Sequence, residues 1–142
     1  MKRINCILLA LGLSLCAAAA AQPHDDSLYA ALGGKAGITV IVDTMLSNIA
    51  DDTRIVHYFA NVNIAHTRHG LITKFCAISG GPCKYDGLNM ADTHRGLHVT
   101  AAAFNALVED LQAAMTKLKI PIATQNRLLA KLAPMRNQIV EQ

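Results

Sequence analysis

Apolar residues recur at the spacing of an amphipathic helix in four stretches of the chain. One stripe runs from Ile38 to Ile49, a second follows Asn63, a third follows Thr100 and a fourth follows Pro121. No comparable stretch alternates apolar and polar residues with the period of two that is typical of a strand. The pattern therefore predicts an all-α domain.

Residues that start and stop helices stand at the ends of these stripes. Ser27 is expected to cap a short helix that ends at Gly33-Gly34. Asn63 is expected to cap a helix that ends at Gly80-Gly81-Pro82, and Thr100 to cap the next one. These signals divide the domain into short and long helices joined by glycine-containing turns.

The last helix contains a proline, and a further turn follows the first long helix. Pro134 is expected to kink the helix that begins at Pro121. Asp51-Asp52 suit the N-terminus of a turn that carries Tyr58-Phe59. Each of the four stretches has a predicted inner face. In the first two stretches these faces are Ile38, Ile41, Val42, Met45, Leu46 and Ile49, and Ile64, Thr67, Leu71, Phe75 and Ile78. In the last two they are Phe104, Leu107, Val108, Leu111, Met115 and Leu118, and Leu128, Leu129, Leu132, Met135 and Ile139.

The first residues have the pattern of a targeting segment. Met1-Lys2-Arg3 is basic, and Ile4 to Ala21 is apolar and ends in alanines that suit cleavage. A membrane span is the weaker reading, because the stretch is short and polar residues follow at once. Lipid attachment at Cys16 is a third alternative. We expect a signal peptide at 1–21, a domain at 22–142 and an exported protein, either periplasmic or secreted.

The positive charge of the chain belongs largely to this segment. Two of the 13 basic residues lie in it, so after cleavage 11 would face 10 acidic residues, and the formal charge would fall from +3 to +1. This near balance gives no support to a nucleic-acid partner. The remaining chain of about 120 residues is within the range of one domain and contains no further apolar run long enough to span a membrane.

Two of the four cysteines, Cys76 and Cys83, lie beyond the predicted signal peptide. Their separation would let a helix end reach a following loop, and an exported compartment permits a disulfide. Both thiols could equally stay unpaired, because geometry decides the matter. The absence of Cys-x-x-Cys argues against a redox motif or covalent haem attachment of that type.

Large aromatic side chains are scarce, with three Phe, three Tyr and no Trp. Small aliphatic side chains alone could fill the core. A bulky apolar ligand between the helices could also complete it, as in helical bundles that hold cofactors.

His94 lies in a short segment, predicted to be irregular, just before the helix that Thr100 caps. A histidine becomes functional when its surroundings place and orient its ring. Taken alone, His94 is more consistent with an ordinary surface or hydrogen-bonded core residue.

The order of motifs around His94 resembles the group I truncated haemoglobins over about residues 27–140. Leu28-Tyr29-x-x-Leu32-Gly33-Gly34 is similar to the start of that family, and Gly80-Gly81 to the pair after its distal helix. Phe59 matches the phenylalanine that packs on the haem, and Tyr85-x-Gly87-x-x-Met90-x-x-x-His94 matches the run to the proximal ligand. The resemblance implies a two-over-two helical sandwich around a non-covalent b-type haem.

The same resemblance assigns roles to individual residues. It implies that His94 binds the haem iron, with His98 as the competing candidate four residues later. Lys74 and Arg95 are either partners for the haem propionates or solvated surface charges. The expected pocket walls, each of which could instead be helix packing, are Phe59, Phe75, Met90, Val99, Phe104 and Leu107.

On the ligand side of the iron, the resemblance places Leu46, Thr67 and Leu71. The family commonly has a tyrosine or histidine at the first position and glutamines among the others, so this chain is poor in donors there. Only Thr67 could donate, unless its hydroxyl bonds back to its own helix. We therefore expect bound dioxygen to dissociate fast.

Two histidines lie near this side. At 100° per residue, His69 points away from the face of Thr67 and Leu71, and His66 lies on its flank, so both are expected to face solvent. Gly70 loosens the helix beside His69, and a local slip there would make His69 a weak alternative iron ligand.

Three classes of function follow from these features. The first is a haem protein that reversibly binds diatomic ligands, namely dioxygen, nitric oxide or carbon monoxide. Nitric oxide dioxygenation would need a reductase or other electron donor, and the distal leucines disfavour it. The second is an exported bis-histidyl haem protein for one-electron transfer or redox sensing. The third is a haem-free helical interaction module.

Overall fold

The structure, a computed structural model, describes residues 26–141, and the predicted signal peptide lies outside this range. Six α-helices and two 3₁₀ helices follow one another within it, and no strand occurs there, which confirms the all-α prediction. In chain order they are α1 (Asp26–Ala31), α2 (Gly34–Asp51), a 3₁₀ helix called here the corner turn (Val56–Phe59), α3 (Ile64–Ile78), α4 (Met90–His94), α5 (Ala101–Lys117), α6 (Ile122–Leu132) and a C-terminal 3₁₀ helix (Ala133–Gln138).

Helix α2 is the centre of the fold. It packs most extensively against α5 and α3, while α6 packs against α5 and α1. Five of the six apolar residues predicted for its inner face are buried, and Leu46 alone is half-buried. The hydrophobic stripe therefore predicted the buried face of α2 correctly, with Leu46 at its edge.

Helix α5 buries only part of the predicted face, because Leu111 and Met115 are buried as predicted and three alanines are buried beside them. Its buried residues include Ala103, Ala106 and Ala114, whereas Phe104 and Leu107 are partly exposed. Phe104 and Leu107 nevertheless pack against the core from its edge.

Helix α3 is also rotated relative to the prediction. Ile72 and Cys76 are buried although they are not part of the predicted stripe, and Ile64 is 49% exposed. A two-pronged ion pair joins Arg68 of α3 to Asp43 of α2, with N–O distances of 2.5 and 2.8 Å. Phe75 of the predicted stripe is buried, and Thr67, Leu71 and Ile78 lie half-buried beside it.

The two predicted N-caps of the long helices are confirmed. The side chain of Asn63 accepts the backbone N–H of His66 at 3.0 Å, and the Thr100 hydroxyl accepts that of Ala103 at 3.1 Å. The prediction for Ser27 was wrong, because α1 begins one residue earlier and Ser27 lies within its first turn.

Pro134 ends helix α6 where a kink was predicted. The α-helix stops at Leu132, and residues Ala133–Gln138 continue as a 3₁₀ helix. Proline has no N–H to donate, and its ring collides with the carbonyl four residues earlier, so a tighter turn replaces the α-helix. Ile139 beyond it is buried all the same, and the apolar face persists through the change.

No helix within residues 26–141 is long and apolar enough to cross a membrane.

A buried carboxylate lies on α5 close to the end of α2. Asp110 is only 9% exposed, and its Oδ2 has no hydrogen-bond partner among the described residues. Burial raises the pKa of Asp110, the negative charges of Asp52 and Glu109 raise it further, and Arg54 lowers it. The ionised form of this side chain is therefore disfavoured in the folded protein.

The variant Asp110→Asn should be more stable than the parent protein near neutral pH by about 1 kcal/mol, because it removes a poorly satisfied buried charge. The pKa of Asp110 is higher in the folded state, so the folded protein gains protons, and stability, as pH falls through that pKa. The difference in free energy of unfolding between the variant and the parent should therefore shrink as the pH falls through that pKa. Urea unfolding from neutral to acidic pH measures it.

The exposed loop residue Asp86 supplies the control. Asp86→Asn removes the same charge without relieving burial and should change stability little. An Asp110→Asn variant that is less stable than the parent at every pH would contradict the assignment of Asp110 as a destabilising group.

Candidate functional site

His94 is the last residue of α4, a helix where an irregular segment was predicted. The side chain of Asn89 caps α4 by accepting the backbone N–H of Asp92 at 2.8 Å, and its amide donates to the Asp92 carboxylate at 2.6 Å. A capping residue followed three places later by an acidic one is a signal of helix start that the sequence carries. The pair Asn89 and Asp92 therefore made α4 predictable.

The ring of His94 is held by the backbone of its own helix. Its Nδ1 lies 2.8 Å from the carbonyl oxygen of Met90, one turn earlier. Because a carbonyl only accepts, Nδ1 carries the proton, and in the neutral ring the lone pair is on Nε2. His94 is half-buried. An imidazole with one nitrogen fixed by a hydrogen bond and the other free is arranged to bind a metal.

The segment after α4 is held from two sides. The Tyr58 hydroxyl of the corner turn donates to the carbonyl oxygen of His98 at 3.4 Å. On the other side, Val99 forms an isolated parallel bridge with Val140, and the N–H of Glu141 donates to the Val99 carbonyl at 2.9 Å. His98 itself is exposed and has a positive φ of 49°. The backbone that follows His94 is thus fixed, while the side chain of His98 faces solvent.

The residues predicted to form the pocket walls come from five helices or turns and the segment before α5. Phe75 and Val99 are buried. The others are partly exposed, namely Leu46, Phe59, Thr67, Leu71, Met90, Phe104 and Leu107. Whether these residues contact a cofactor stays a prediction.

An apolar cavity of about 290 Å³ lies where the end of α2, the corner turn and the start of α3 meet. It brings together two predicted residues, Leu46 and Phe59. The remaining lining residues were not predicted from the sequence, namely Ile49, Ala50, Val56, His57, Ala60 and Ile64. The other predicted wall residues do not line it.

The Thr67 hydroxyl is free of its own helix. Thr39, Thr44 and Thr73 each donate to a carbonyl four residues earlier at 2.8 Å. Within residues 26–141, the Thr67 hydroxyl makes no such bond, although Thr67 is half-buried on α3. One of the two alternatives for Thr67, bonding back to its helix, is therefore not used.

Lys74 and Arg95 both have protein partners. The Lys74 ammonium lies 3.6 Å from the centre of the Tyr85 ring, and burial lowers the pKa of Lys74. Burial, together with the charge of Asp86, raises the pKa of Tyr85. Arg95 forms an ion pair with Asp92 and has an exposed side chain. Arg95 is thus a surface charge, whereas Lys74 packs against the loop before α4.

Two of the motif glycines are required by close packing. A Cβ on Gly81 would lie 2.5 Å from the ring of Tyr29 and 2.7 Å from the sulfur of Cys76. A Cβ on Gly87 would collide with the Tyr85 hydroxyl, which donates to the carbonyl of Leu88 at 3.0 Å. The glycines therefore let aromatic rings pack directly on the turn between α3 and α4.

Cys76 and Cys83 form a disulfide, which decides the alternative that the sequence left open. The bond joins the end of α3 to the loop that leads to α4, and Cys76 is fully buried. It therefore ties α3 to the segment that carries His94.

The side chains of His66 and His69 are both exposed, as the helical geometry predicts. Helix α3 runs without interruption through Gly70. No slip of the helix at Gly70 occurs that would turn His69 inwards.

Known proteins match this chain over nearly all the described residues. The family model of the bacterial-like globins matches residues 27–141. A group 1 truncated haemoglobin from Tetrahymena thermophila is 31% identical over 94 residues, which are 66% of this chain and 78% of the relative. One from Synechocystis is 32% identical over 100 residues, 68% of this chain and 81% of the relative.

The chain belongs to the group 1 truncated haemoglobins.

Solved structures of similar proteins have the same fold as this truncated haemoglobin. The Fe(III) form of the Tetrahymena pyriformis truncated haemoglobin superposes with a TM-score of 0.78 at 25% identity, covering 81% of this chain and 98% of that one. A 2/2 haemoglobin from Synechococcus with covalently attached haem has the same fold, with a TM-score of 0.76 at 21% identity and the same coverage. The two-over-two fold is therefore established, and membership of the family implies a haem cofactor.

In this truncated haemoglobin, loss of the disulfide should lower the free energy of unfolding by about 2 kcal/mol, because the unfolded chain gains the freedom of a short closed loop. Urea unfolding of the Cys76→Ala/Cys83→Ala variant measures this. Treatment of the parent with a dithiol reductant is the control, since it opens the bond without changing any buried side chain. Equal stability of the oxidised and reduced parent would contradict a stabilising role for the disulfide.

Proposed function

We propose that this truncated haemoglobin binds a b-type haem through Nε2 of His94 and binds diatomic ligands reversibly at the haem iron. The observation that carries the proposal is the hydrogen bond from His94 Nδ1–H to the Met90 carbonyl, 2.8 Å long. It fixes the ring orientation and leaves Nε2 with its lone pair. His98, the competing candidate, is exposed and has no comparable contact for its ring among the described residues.

The residues around His94 fit a haem in their chemistry. A haem needs one axial nitrogen donor and apolar surfaces against the macrocycle. His94 supplies the donor, and the partly exposed side chains of Phe59, Met90, Phe104 and Leu107 supply apolar surface. Phe104 and Leu107 pack against the edge of the core and keep part of their surface exposed, which supports this use.

Non-covalent attachment is favoured by the state of the cysteines. Thioether attachment needs free thiols in a Cys-x-x-Cys-His arrangement, and that motif is absent from the sequence. Cys76 and Cys83 are bonded to each other. Within residues 26–141, therefore, no free cysteine is available for a thioether bond to haem.

The bound iron would supply an open coordination position for dioxygen, nitric oxide or carbon monoxide. Leu46 and Leu71 offer no donor to such a ligand. The Thr67 hydroxyl is free to donate. We infer that the ligand side contains at most one side-chain donor, so dioxygen is released fast and storage at high affinity is disfavoured.

Two additional functions would each require a further component or contact. Nitric oxide dioxygenation would require bound dioxygen and an electron donor such as a reductase. One-electron transfer with bis-histidyl iron would require His66 or His69 to reach the metal, and the exposed side chains of both on an uninterrupted α3 argue against this. Reversible binding of a diatomic ligand is therefore the better-supported function.

We also propose that the protein is exported after cleavage of residues 1–21. The basic and apolar start of the chain supports this, and so does the disulfide, since such bonds persist mainly in oxidising compartments. N-terminal sequencing of the protein from fractionated cells tests the proposal. A cleaved chain that starts near Ala21 in the exported fraction is expected, whereas an intact Met1 would contradict it.

The variant His94→Ala should lose haem, because it removes the axial donor, and its visible spectrum should lack the Soret band of the parent. His98→Ala is the matched control and should keep the parent spectrum in the ferric, ferrous and carbon monoxide forms. A low-spin ferric parent spectrum that becomes high-spin in His69→Ala would contradict the open coordination position. Normal haem content in His94→Ala would overturn the assignment of the ligand.

The variant Leu46→Tyr should release dioxygen about ten-fold more slowly than the parent, since one added hydrogen bond of roughly 1.4 kcal/mol gives this factor. Stopped-flow displacement of dioxygen by carbon monoxide measures the rate. Leu46→Phe separates the hydroxyl from the added bulk and should leave dissociation fast. A parent that already releases dioxygen as slowly as Leu46→Tyr would contradict a donor-poor ligand side.

A further inference from the structure

Positive and negative charges are unevenly distributed along the chain. Residues 111–140 contain five basic residues and no acidic one, namely Lys117, Lys119, Arg127, Lys131 and Arg136. The other described residues, 26–110 and 141, contain six basic and nine acidic residues, so their formal charge is −3. The excess positive charge of the domain therefore lies at the end of α5, on α6 and on the C-terminal 3₁₀ helix.

The turn between α5 and α6 places two of these cations next to an exposed apolar side chain. Lys117 is the last residue of α5, Lys119 follows in the turn, and Ile122 is the first residue of α6. We call these three residues the basic corner. All three are exposed, Ile122 to 64%. Within residues 26–141, neither lysine forms an ion pair.

The backbone of the basic corner is held by buried contacts. The side chain of Gln125 is buried, and its amide donates to the carbonyl of Ile120 at 2.9 Å and to the Thr116 hydroxyl at 3.4 Å. The N–H of Ile120 also donates to the carbonyl of Met115 at 3.0 Å. The corner therefore presents its exposed side chains from a fixed turn.

Lys119 occupies a position where glycine is favoured. Its φ is 57°, in the left-handed region that side chains with a Cβ rarely adopt. The bonds from Lys119 N–H to Thr116 and from Ile120 N–H to Met115 are those of a helix end that usually has glycine at this place. Lys117, in the last turn of α5, already complements the helix dipole. A lysine at this strained position therefore indicates a use for its charge.

The composition of the region favours a lipid surface over a protein partner. Protein interfaces are depleted in lysine and centre on several large apolar or aromatic side chains. Here three of the five cations are lysines, and Ile122 is the one large apolar side chain exposed within residues 111–140. An anionic membrane attracts lysine and arginine without specific pairing, and an apolar side chain among them inserts at the level of the headgroups.

We propose that the basic corner docks the protein on the anionic phospholipid surface of a membrane. Ile122 inserts among the headgroups, and Lys117 and Lys119 lie against the lipid phosphates. The exposed Lys131 and Arg136 strengthen the attraction through their charge. None of these residues belongs to the predicted haem site, so the proposal is independent of the proposed haem function.

Sedimentation with phospholipid vesicles tests the docking. The chain without residues 1–21 is used, because the apolar start of the precursor would itself bind lipid. It should bind phosphatidylcholine vesicles that contain phosphatidylglycerol, and bind pure phosphatidylcholine vesicles far less. Salt should release it, since salt screens exposed charges. Absence of binding to the anionic vesicles at low ionic strength would overturn the proposal.

Removal of the two corner lysines should weaken this binding. Lys117→Gln/Lys119→Gln should bind anionic vesicles about 25-fold less tightly, since each cation near such a surface contributes a factor of about five. Lys35→Gln/Lys84→Gln is the matched control, because it removes two exposed lysines elsewhere on the domain. The control should bind nearly as well as the parent. An equal loss of binding in both double variants would contradict a role for the corner.

Two single substitutions separate docking from folding. Lys119→Gly should raise the urea concentration at the midpoint of unfolding, because glycine adopts a positive φ without strain, and yet weaken vesicle binding about five-fold. Ile122→Ser should weaken binding several-fold, whereas Val40→Ser, at a 48% exposed position on α2, should not. Unchanged vesicle binding in both Lys119→Gly and Ile122→Ser would refute the docking site.

An acidic protein partner is the alternative that the same protein can test. The chain should show no saturable, salt-resistant binding to immobilised polyglutamate. Retention on polyglutamate without binding to anionic vesicles would overturn the membrane as the partner. A parent protein that holds no haem would refute the proposed function and would leave the vesicle measurement unaffected.

Discussion

The hydrogen bond from His94 Nδ1–H to the Met90 carbonyl is the interaction on which the candidate site depends. Since the acceptor is a backbone atom, the ring direction is set by α4 rather than by a mobile side chain. The geometry of α4 is fixed in turn by the Asn89 cap and by the bridge of Val99 to Val140 beyond it. A short helix of five residues would not be stable alone, so these contacts are what hold the imidazole in place.

Much of the fold could be predicted from the sequence, because the signals that determine its helices are local. Three kinds of signal depend only on residues close together in the chain. They are the apolar stripe of α2, the caps Asn63 and Thr100, and the glycine turns. The buried faces of α3 and α5 were not readable in the same way. Only Phe75 of the α3 stripe and Leu111 and Met115 of the α5 stripe are buried, because the other buried positions depend on how each helix packs on its neighbours.

In the candidate site, too, the local signals could be predicted from the sequence and the non-local contacts could not. Motif order and spacing predicted that His94 and Phe59 contact a haem, and this stays a prediction, whereas the Asn89 cap of α4 is a local signal that the sequence carries. The Met90 carbonyl could not be identified as the partner of His94 while α4 was taken to be irregular, because the contact exists only in a helical turn. The cavity at the corner turn is made by small residues, and absence of bulk leaves no periodic pattern in a sequence.

The two sides of the candidate site differ in how strongly they are determined. Around His94, a cap, a backbone acceptor and a bridge all constrain one ring. Around Leu46 and Leu71, the side chains are apolar and half-buried, and a single free hydroxyl, that of Thr67, is the available donor. Carbon monoxide depends little on such donors, whereas bound dioxygen depends on them strongly. In the proposed haem site, discrimination between ligands would therefore depend on Thr67 rather than on His94.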